Sequence, residues 1–429
     1  MKVLVIGGGG REHALCWKLS QSKKVEKIYC VPGNAGIEEI AQCEDIPYEE
    51  DFSSLTEFVR KEKINFTIVG PEVPLVNGVV DFFQKRKLKI FGPSKKASIL
   101  EGSKVFAKKF MERYCIPTAK FDVFSDFDKA ARYIQSQESP QVIKVDGLAA
   151  GKGSLVTNTK EEAIESARKV LKEKIFGEAG GKIVIEEKLK GKEISFFVLT
   201  DGKTVKPLVS SQDHKSIYEG DKGPNTGGMG AYSPAPLSPF LYKKIMNKII
   251  LPTLRGMKRE KKPYKGVLYV GLMIRNGEPK VLEFNARFGD PETQVTLPRL
   301  YNDLLEVLLS ISEGNLDRIN LRWRPQAATC VILASKGYPG KYEKGKLIKG
   351  LKDLVKFKNI FPFYAGVKKE DGNLFTSGGR VIGITALGKD LKESILQVYR
   401  GVKKVYFEGI YYRGDIGKKG LTKKLNRLG

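Results

Sequence analysis

The sequence is poor in the residues that build soft-metal sites and covalent catalysis. It has two histidines, His13 and His214, and five cysteines, Cys16, Cys30, Cys43, Cys115 and Cys330, in 429 residues. The cysteines are scattered and odd in number, and no two form a C-x-x-C pair. That argues against a zinc site and against a disulfide framework, and it suits a reducing compartment. No Ser/His/Asp or Cys/His pattern offers a covalent nucleophile. A metal, if one is used, should be held by oxygen. No apolar run approaches the ~20 residues of a membrane-spanning helix. The opening run Val3–Ile6 is short, breaks into glycines and lacks a small-residue cleavage site. It predicts a buried first strand of a cytoplasmic protein and not a signal peptide.

Acidic residues are the minority charge, 49 against 75 lysines and arginines, for a net charge of +26. One reading is nucleic-acid binding. The other is a lysine-rich solvated surface with cationic pockets for anionic substrates. The basic residues run along the whole chain and alternate with acids, as in Lys169–Lys174, which favours the second. At roughly 150 residues per domain the length suggests about three domains, and 41% hydrophobic residues suffice for several cores.

The first hundred residues alternate strand and helix patterns: strands Lys2–Ile6, Lys27–Val31, Phe66–Val69 and Lys89–Phe91, helices Glu12–Gln21, Leu55–Glu62 and Gly78–Lys85. This predicts a parallel sheet with helices on both faces. A helix Lys104–Tyr114 follows. A small α+β unit spans about 120–195, with strands Phe121–Phe124, Gln141–Val145, Ser154–Val156, Ile183–Glu187 and Ile194–Thr200. The stretch Ser210–Pro239 reads as a long functional loop. Strands Val267–Arg275 and Pro279–Phe284 flank the hairpin turn Asn276-Gly277. A helix is predicted over Pro298–Glu313, and a strand-rich segment from Ala327.

Four segments carry chemistry. Gly7-Gly8-Gly9-Gly10-Arg11-Glu12-His13 joins a strand to a helix start, where glycines permit close approach and helix amides attract an anion. It lacks the third glycine and the ribose-binding acid of a dinucleotide fingerprint, so a different phosphate is expected, with a tight packing turn as the bland reading. Lys144–Gly153 sets small residues between two strands with a lysine at each end. It is not a Walker loop, because Gly153 stands where Ser or Thr is required; it reads as a flexible hairpin over a triphosphate or as an exposed turn. Glu186, Glu187 and Glu193 flank a strand crossover that could hold adenine or ribose, or simply be a charged connection. Finally, alternation along Glu283-Phe284-Asn285-Ala286-Arg287 places Glu283, Asn285 and Arg287 on one face. A carboxylate and an amide oxygen two residues apart suit a hard cation, and Arg287 beside them suits a phosphoryl group. The bland reading is a salt-bridged strand face.

In this order the lysine–glycine hairpin, the paired glutamates and the E-F-N-x-R strand resemble the ATP-grasp superfamily. Over essentially the full length the chain is similar to the phosphoribosylamine–glycine ligase (glycinamide ribonucleotide synthetase) family. The motifs include Gly8–Leu15, Gly70-Pro71-Glu72, Glu101–Lys104, Asp146–Gly153, Gln212–Lys215, Gly223–Pro236, Glu283–Gln294, Ser377–Val381 and Tyr412–Gly417.

The resemblance implies a mixed α/β and α+β multidomain fold. Its parts would be a parallel-sheet domain at 1–103, an ATP-grasp core at 104–120 and 196–326, a lid at 121–195, and a C-terminal domain at 327–429. It implies ATP and magnesium (or manganese) as cofactors and glycine and 5-phosphoribosylamine as substrates. Glycine would join through glycyl phosphate, in a monomer or weak dimer with no nucleic-acid or membrane partner. Lys104, Lys144, Gly151, Lys152, Gly153, Glu186, Glu187, Leu189 and Glu193 would bind the nucleotide, and Glu283 and Asn285 the metal. Gly9, Gly10, Arg11, Glu12, Gly70 and Glu72 would cradle phosphoribosylamine. Asp213, Lys215, Gly228, Asp290 and Pro291 would close the glycine and ribose end. Arg287, Lys144 and Asp213 would be catalytic, Arg287 stabilising the acyl phosphate. Val145, Ser154 and Phe363–Val367 depart from the family pattern, the last in a segment expected to lie away from the chemistry.

Overall fold

The computed structural model describes residues 1–149 and 153–421. Its first element, β1 (Lys2–Gly7), pairs in parallel with β2 (Lys27–Pro32) and β4 (Phe66–Val69); β3 (Gln42–Cys43) and β5 (Ile90–Phe91) complete the sheet, in the order β3-β2-β1-β4-β5. Every residue from Val3 to Ile6 is buried because the strand has cores on both faces. Leu4 and Ile6 pack against helices Ser53–Lys61 and Val79–Lys85. Val3 and Val5 face the other way, into a core shared with Phe197, Val267 and helix Leu304–Glu313 of the middle of the chain. The period of two thus joins two domains through one strand.

A second sheet, within the expected lid, is antiparallel, ordered β6-β9-β7-β8, from β6 (Phe121–Phe124), β7 (Gln141–Val145), β8 (Ser154–Val156) and β9 (Ile183–Glu187). Helices Phe127–Ser136 and Lys160–Leu171 cover one side of it. Strands β10 (Lys192–Thr200) and β11 (Val205–Pro207) begin the central sheet. The expected long loop then folds into four short strands: β12 (Gln212–Asp213), β13 (Ser216–Tyr218), β14 (Lys222–Asn225) and β15 (Gly230–Ser233). The central sheet closes with β16 (Gly266–Arg275) and β17 (Glu278–Asn285), in the order β11-β10-β16-β17. The turn between them is the predicted Asn276-Gly277 hairpin, both residues at positive φ. In β10, Ile194, Phe196 and Val198 face the helices of the central core, while Phe197 and Leu199 face the N-terminal sheet.

The predicted helix over Pro298–Glu313 begins only at Leu304. Leu300 is extended, and the Asp303 side chain accepts the Leu305 N–H as an N-cap. The C-terminal sheet contains β18 (Ala327–Ser335), β19 (Ile360–Tyr364), β22 (Arg380–Gly388) and β23 (Ile410–Tyr411); β20 (Val367–Glu370) and β21 (Asn373–Thr376) form a separate hairpin. Helix Leu391–Val402 packs on the sheet. Strands β12 and β15 join it through β18, so the Gln212–Ser233 segment ties the central and C-terminal regions together. No described helix is long and apolar enough to cross a membrane.

Candidate active site

Strand β17 forms one wall of a cavity of about 380 Å³ that is open to all three main domains. Phe284 and Ala286 point into the central core, so Glu283 and Asn285 face the cavity, as the alternation predicts. A bulge sets this geometry. Gly271 pairs with Glu283, but the next partner of β17 is Val281 opposite Leu272, which leaves Leu282 unmatched. The Leu282 carbonyl accepts a hydrogen bond from Lys144 Nζ at 2.7 Å. Gly271 fits opposite Glu283 because a Cβ there would stand 3.3 Å from Glu283 Cγ. Arg287 lies past the strand's end yet still lines the cavity.

At the end of the cavity lined by lysines, cations and carboxylates are interleaved. Lys144 and Glu186 sit diagonally on one face of the β7–β9 pair, and their side chains meet at 2.5 Å. Glu186 also pairs with Lys108, both nearly fully buried. Burial lowers Lys108 to about 8, although Glu186 opposes the shift. Lys104 Nζ donates to the Gly147 carbonyl at 2.9 Å, and burial lowers its pKa. Gly153 lines the cavity with Leu148, Ala149 and Ser154, whereas the expected nucleotide residues Gly151 and Lys152 lie outside the described residues. Glu187 follows Glu186 on the opposite face, where it pairs with Lys280 at 2.9 Å and stays out of the cavity. Leu189 is half-buried in the β9–β10 connection and does not line the cavity either.

Next to this end, Lys215 bridges Glu193 at 2.6 Å and Glu283 at 3.0 Å. Lys215, helped by Lys144, brings Glu283 down to about 2 against the effect of burial. Glu283 is therefore a fixed anion. The Asn285 amide oxygen has one long contact, 3.4 Å from Arg287 Nη2. Two oxygen donors from one strand, one of them anionic, fit a hard divalent cation that takes its remaining ligands from phosphate oxygens. Consistently, no group of three or more His, Cys, Asp or Glu among the described residues could hold a metal unaided.

The centre of the site is a buried charge cluster. Arg287 pairs with Glu72 and Glu101, each at 3.0 Å. Its guanidinium brings Glu72 to about 2, with help from Arg11, although burial works the other way. Burial dominates at Glu101 and raises it to about 7, while the Ala286 N–H donates to it at 2.6 Å. Both Arg287 and Arg11 donate to the Phe288 carbonyl, at 3.2 Å each.

The far end is a three-domain joint. The helix Gly10–Leu19 starts here, and Glu12 turns back to accept the Gly9 N–H at 2.7 Å and the Arg11 side chain at 2.6 Å. Gly70 is required beside it, since a Cβ there would lie 2.0 Å from Glu12 Oε1. Arg11 and Glu72 line the cavity; Gly9, Gly10, Glu12 and Gly70 form the layer behind them. Asp290 accepts the Arg11 N–H at 3.4 Å and pairs with Arg380 of the C-terminal domain at 3.3 Å. Arg380 holds its carboxyl below the ordinary range against burial. Arg380 also donates to the carbonyls of Gly227 and Asp290, at 2.7 and 2.9 Å. Gly228 and Pro291 back this joint: a Cβ on Gly228 would meet Pro291 at 2.5 Å and the Asp213 carboxylate at 2.8 Å. Burial, and next Glu292, raise Asp213 well above its ordinary value. Glu292 accepts a hydrogen bond from Ser195 at 2.9 Å.

No residue of Phe363–Val367 lines the cavity, but the segment touches the glycine turn from behind. The Tyr364 N–H donates to His13 Nδ1 at 2.8 Å. Its carbonyl accepts from Asn34, whose amide also caps the Gly8 carbonyl at 2.8 Å. The segment therefore braces the glycine turn from behind.

Sequence reasoning missed Glu101, Lys108, Tyr269, Glu292 and Arg380, all of which line the cavity. Lys108 stands one helical turn after Lys104, a spacing that could have revealed it. Arg380 lies in a glycine-rich motif with no local sign of its partner 90 residues earlier.

Comparison with known proteins agrees with this arrangement. Three family models match: phosphoribosylglycinamide synthetase N domain over residues 1–101, its ATP-grasp (A) domain over 102–293 and its C domain over 328–419. A phosphoribosylamine–glycine ligase of Caldanaerobacter subterraneus subsp. tengcongensis is 51% identical over 420 residues, 97% of this chain and 99% of the relative. One of Halalkalibacterium halodurans is 49% identical over 99% of this chain and 98% of the relative. The crystal structure of phosphoribosylamine–glycine ligase from Thermotoga maritima superposes with a TM-score of 0.83 at 35% identity, covering 97% of this chain and 100% of that one. The biotin carboxylase domain of 2-oxoglutarate carboxylase from Hydrogenobacter thermophilus shares the fold, with a TM-score of 0.72 at 15% identity over 96% of this chain and 91% of that one.

Proposed function

The chain belongs to the phosphoribosylglycinamide synthetase family, and from that premise we propose that it ligates glycine to 5-phosphoribosylamine at the expense of ATP. The observation that supports this most directly is a single cavity. It sets the Glu283–Asn285 floor and a row of lysines against a far end built from Arg11, Asp290 and Arg380. The first suits a nucleotide triphosphate, the second a small zwitterion and a sugar phosphate.

In this reading Lys104 and Lys144 contact phosphates, and Gly151, Lys152 and Gly153 belong to the same nucleotide-binding set. Glu186 and Glu193 make up the adenine and ribose side, with Glu187 tied to Lys280 behind it and Leu189 in the adjoining connection. Glu283 and Asn285 hold magnesium, or manganese in its place, which supplies neutralising charge to the phosphate oxygens when bound. A glycine carboxylate oxygen takes the terminal phosphoryl group, breaking the bond to ADP and forming glycyl phosphate. The amine of phosphoribosylamine then attacks the acyl carbon and expels phosphate. Arg287, fixed by Glu72 and Glu101, opposes the charge that builds on the acyl phosphate. Asp213, with its proton affinity raised, is placed to take the proton the amine loses. Gly9, Gly10, Arg11, Glu12, Gly70 and Glu72 form the sugar-phosphate grip, and Lys215, Gly228, Asp290 and Pro291 the glycine end. Positioning and charge account for the catalysis, with no covalent enzyme intermediate. The protein works in the cytoplasm as a monomer or weak dimer on small molecules alone.

The decisive experiment incubates the protein with ATP, magnesium, glycine and freshly made phosphoribosylamine and identifies the product. ADP release that requires both substrates is expected. Release with bicarbonate alone would overturn the assignment.

A further inference from the structure

Part of the cavity rim is carried by a segment with little support of its own. Strands β13 and β14 pair only with each other and join no larger sheet. A lone two-stranded hairpin is marginal in water. Yet this hairpin starts directly after Lys215, which pairs with Glu193 and Glu283, and ends at Asn225 and Thr226, which line the cavity beside Gly227. Strand β14 also lies against β8 of the lid.

The support comes from the far end of the chain. Arg413 is fully buried. Its guanidinium grips Asp415 with two bonds of 2.7 Å, donates to the Ser216 carbonyl at 2.9 Å and reaches Asp221 at 3.2 Å. The contact is reciprocated by the backbone. The Gly220 N–H donates to Asp415 at 3.0 Å, and the Gly414 N–H donates to Glu219 at 2.7 Å. Tyr399, on the C-terminal helix, donates to the Arg413 carbonyl at 2.7 Å and accepts the Ile416 N–H at 3.0 Å, which fastens the other side. One residue thus meets the first strand and the turn of the hairpin as well as the body of the C-terminal domain.

We propose that Arg413 is a positioning residue for the substrate end: by clamping the Ser216–Asn225 hairpin onto the C-terminal domain it sets where Lys215 and Thr226–Gly227 stand in the cavity. A planar fork with five donors can serve Asp415, Asp221 and the Ser216 carbonyl together; an ammonium group of the same charge cannot reproduce those directions. The kinetic part of the inference rests on the ligase reading above.

The test compares the full-length wild type with R413K and with D221A. In R413K the KM for glycine and for phosphoribosylamine should rise roughly tenfold, as for loss of a bidentate partner, while the KM for ATP moves less than about twofold. D221A removes a half-exposed partner and should shift the same constants about two- to threefold. Hydrogen–deuterium exchange should quicken across Ser216–Gly230 in R413K and stay unchanged in β1–β5. Unchanged exchange at Ser216–Gly230 with unchanged KM values would overturn the proposal. So would an equal rise in all three KM values with faster exchange throughout, which marks a merely structural residue. If R413K does not fold, D221A decides by the same criteria. If the wild type shows no glycine-dependent ADP release, the ligase reading fails, while the exchange measurement still judges the clamp.

Discussion

The two ends of the cavity are built by different rules. At the lysine-lined end, proposed to take the nucleotide, Lys104, Lys108, Lys144 and Glu186 all lie within the segment matched by one family domain, 102–293, and the ion pairs of Glu186 close within it. At the far end, proposed to take the substrates, Arg11, Asp290 and Arg380 come from three separately matched segments and meet at one carboxylate. The lysine-lined end is thus a property of a domain, and the Asp290 end a property of how domains are joined. Arg287 stands between the two, with Glu72 from the N-terminal domain and Glu101 holding it.

Substitutions should separate these rules. The largest effect is expected at the shared centre. Arg287→Ala or Glu283→Gln should cut turnover by roughly 10²–10³, as for loss of a charge partner to the transition state. Steady-state rates near wild type in both variants would refute their roles. Next comes the contrast of ends. Lys144→Ala should raise the KM for ATP by roughly 10- to 100-fold, the worth of a charged hydrogen bond, and leave the KM for glycine nearly unchanged. Arg380→Lys should do the reverse, with about a tenfold rise for glycine or phosphoribosylamine. If each variant moved all three constants alike, the division into two ends would fail.

The smallest effect is on stability. Glu101 has a folded pKa of about 7 against an ordinary 4.5. The folded state therefore binds this proton more tightly than the unfolded chain. Its stabilising contribution is complete only below about pH 4.5 and is lost as pH rises toward 7. Glu72 and Glu283, at about 2, behave oppositely: their contribution is present above 4.5 and is lost as pH falls toward 2. Glu101→Gln should flatten the decline between pH 4.5 and 7, seen as urea midpoints that converge at the two pH values. An unchanged slope in the variant would show that Glu101 is not the group responsible.

Much of this architecture was legible in the residues. The parallel N-terminal sheet follows from strand–helix alternation, and the Asn276-Gly277 turn from its dipeptide. Glu283 and Asn285 share a face because a strand has a period of two. The failures have physical reasons too. The Gln212–Ser233 segment reads as a loop because its strands are two to four residues long, and the one that joins a larger sheet, β15, does so through a partner about 100 residues away. The helix predicted from Pro298 starts late because Leu297–Arg299 makes only a short 3-10 turn and the buried Leu300 is extended, which breaks the run before Leu304. Glu187 seemed equivalent to Glu186, yet one step along a strand reverses the face.

By itself the sequence determined which groups had local work to do. The glycines permit close approach at the first strand–helix turn, the alternating acid and amide of β17 face one way, and oxygen donors stand in for scarce cysteine and histidine. Only the tertiary structure decided their company. Arg380 reaches Asp290, Arg413 holds Ser216, and Tyr364 braces His13 because separate cores pack these domains together. Charge pairing between distant residues leaves no periodic trace along the chain, and its energy depends on burial that only the assembled fold creates.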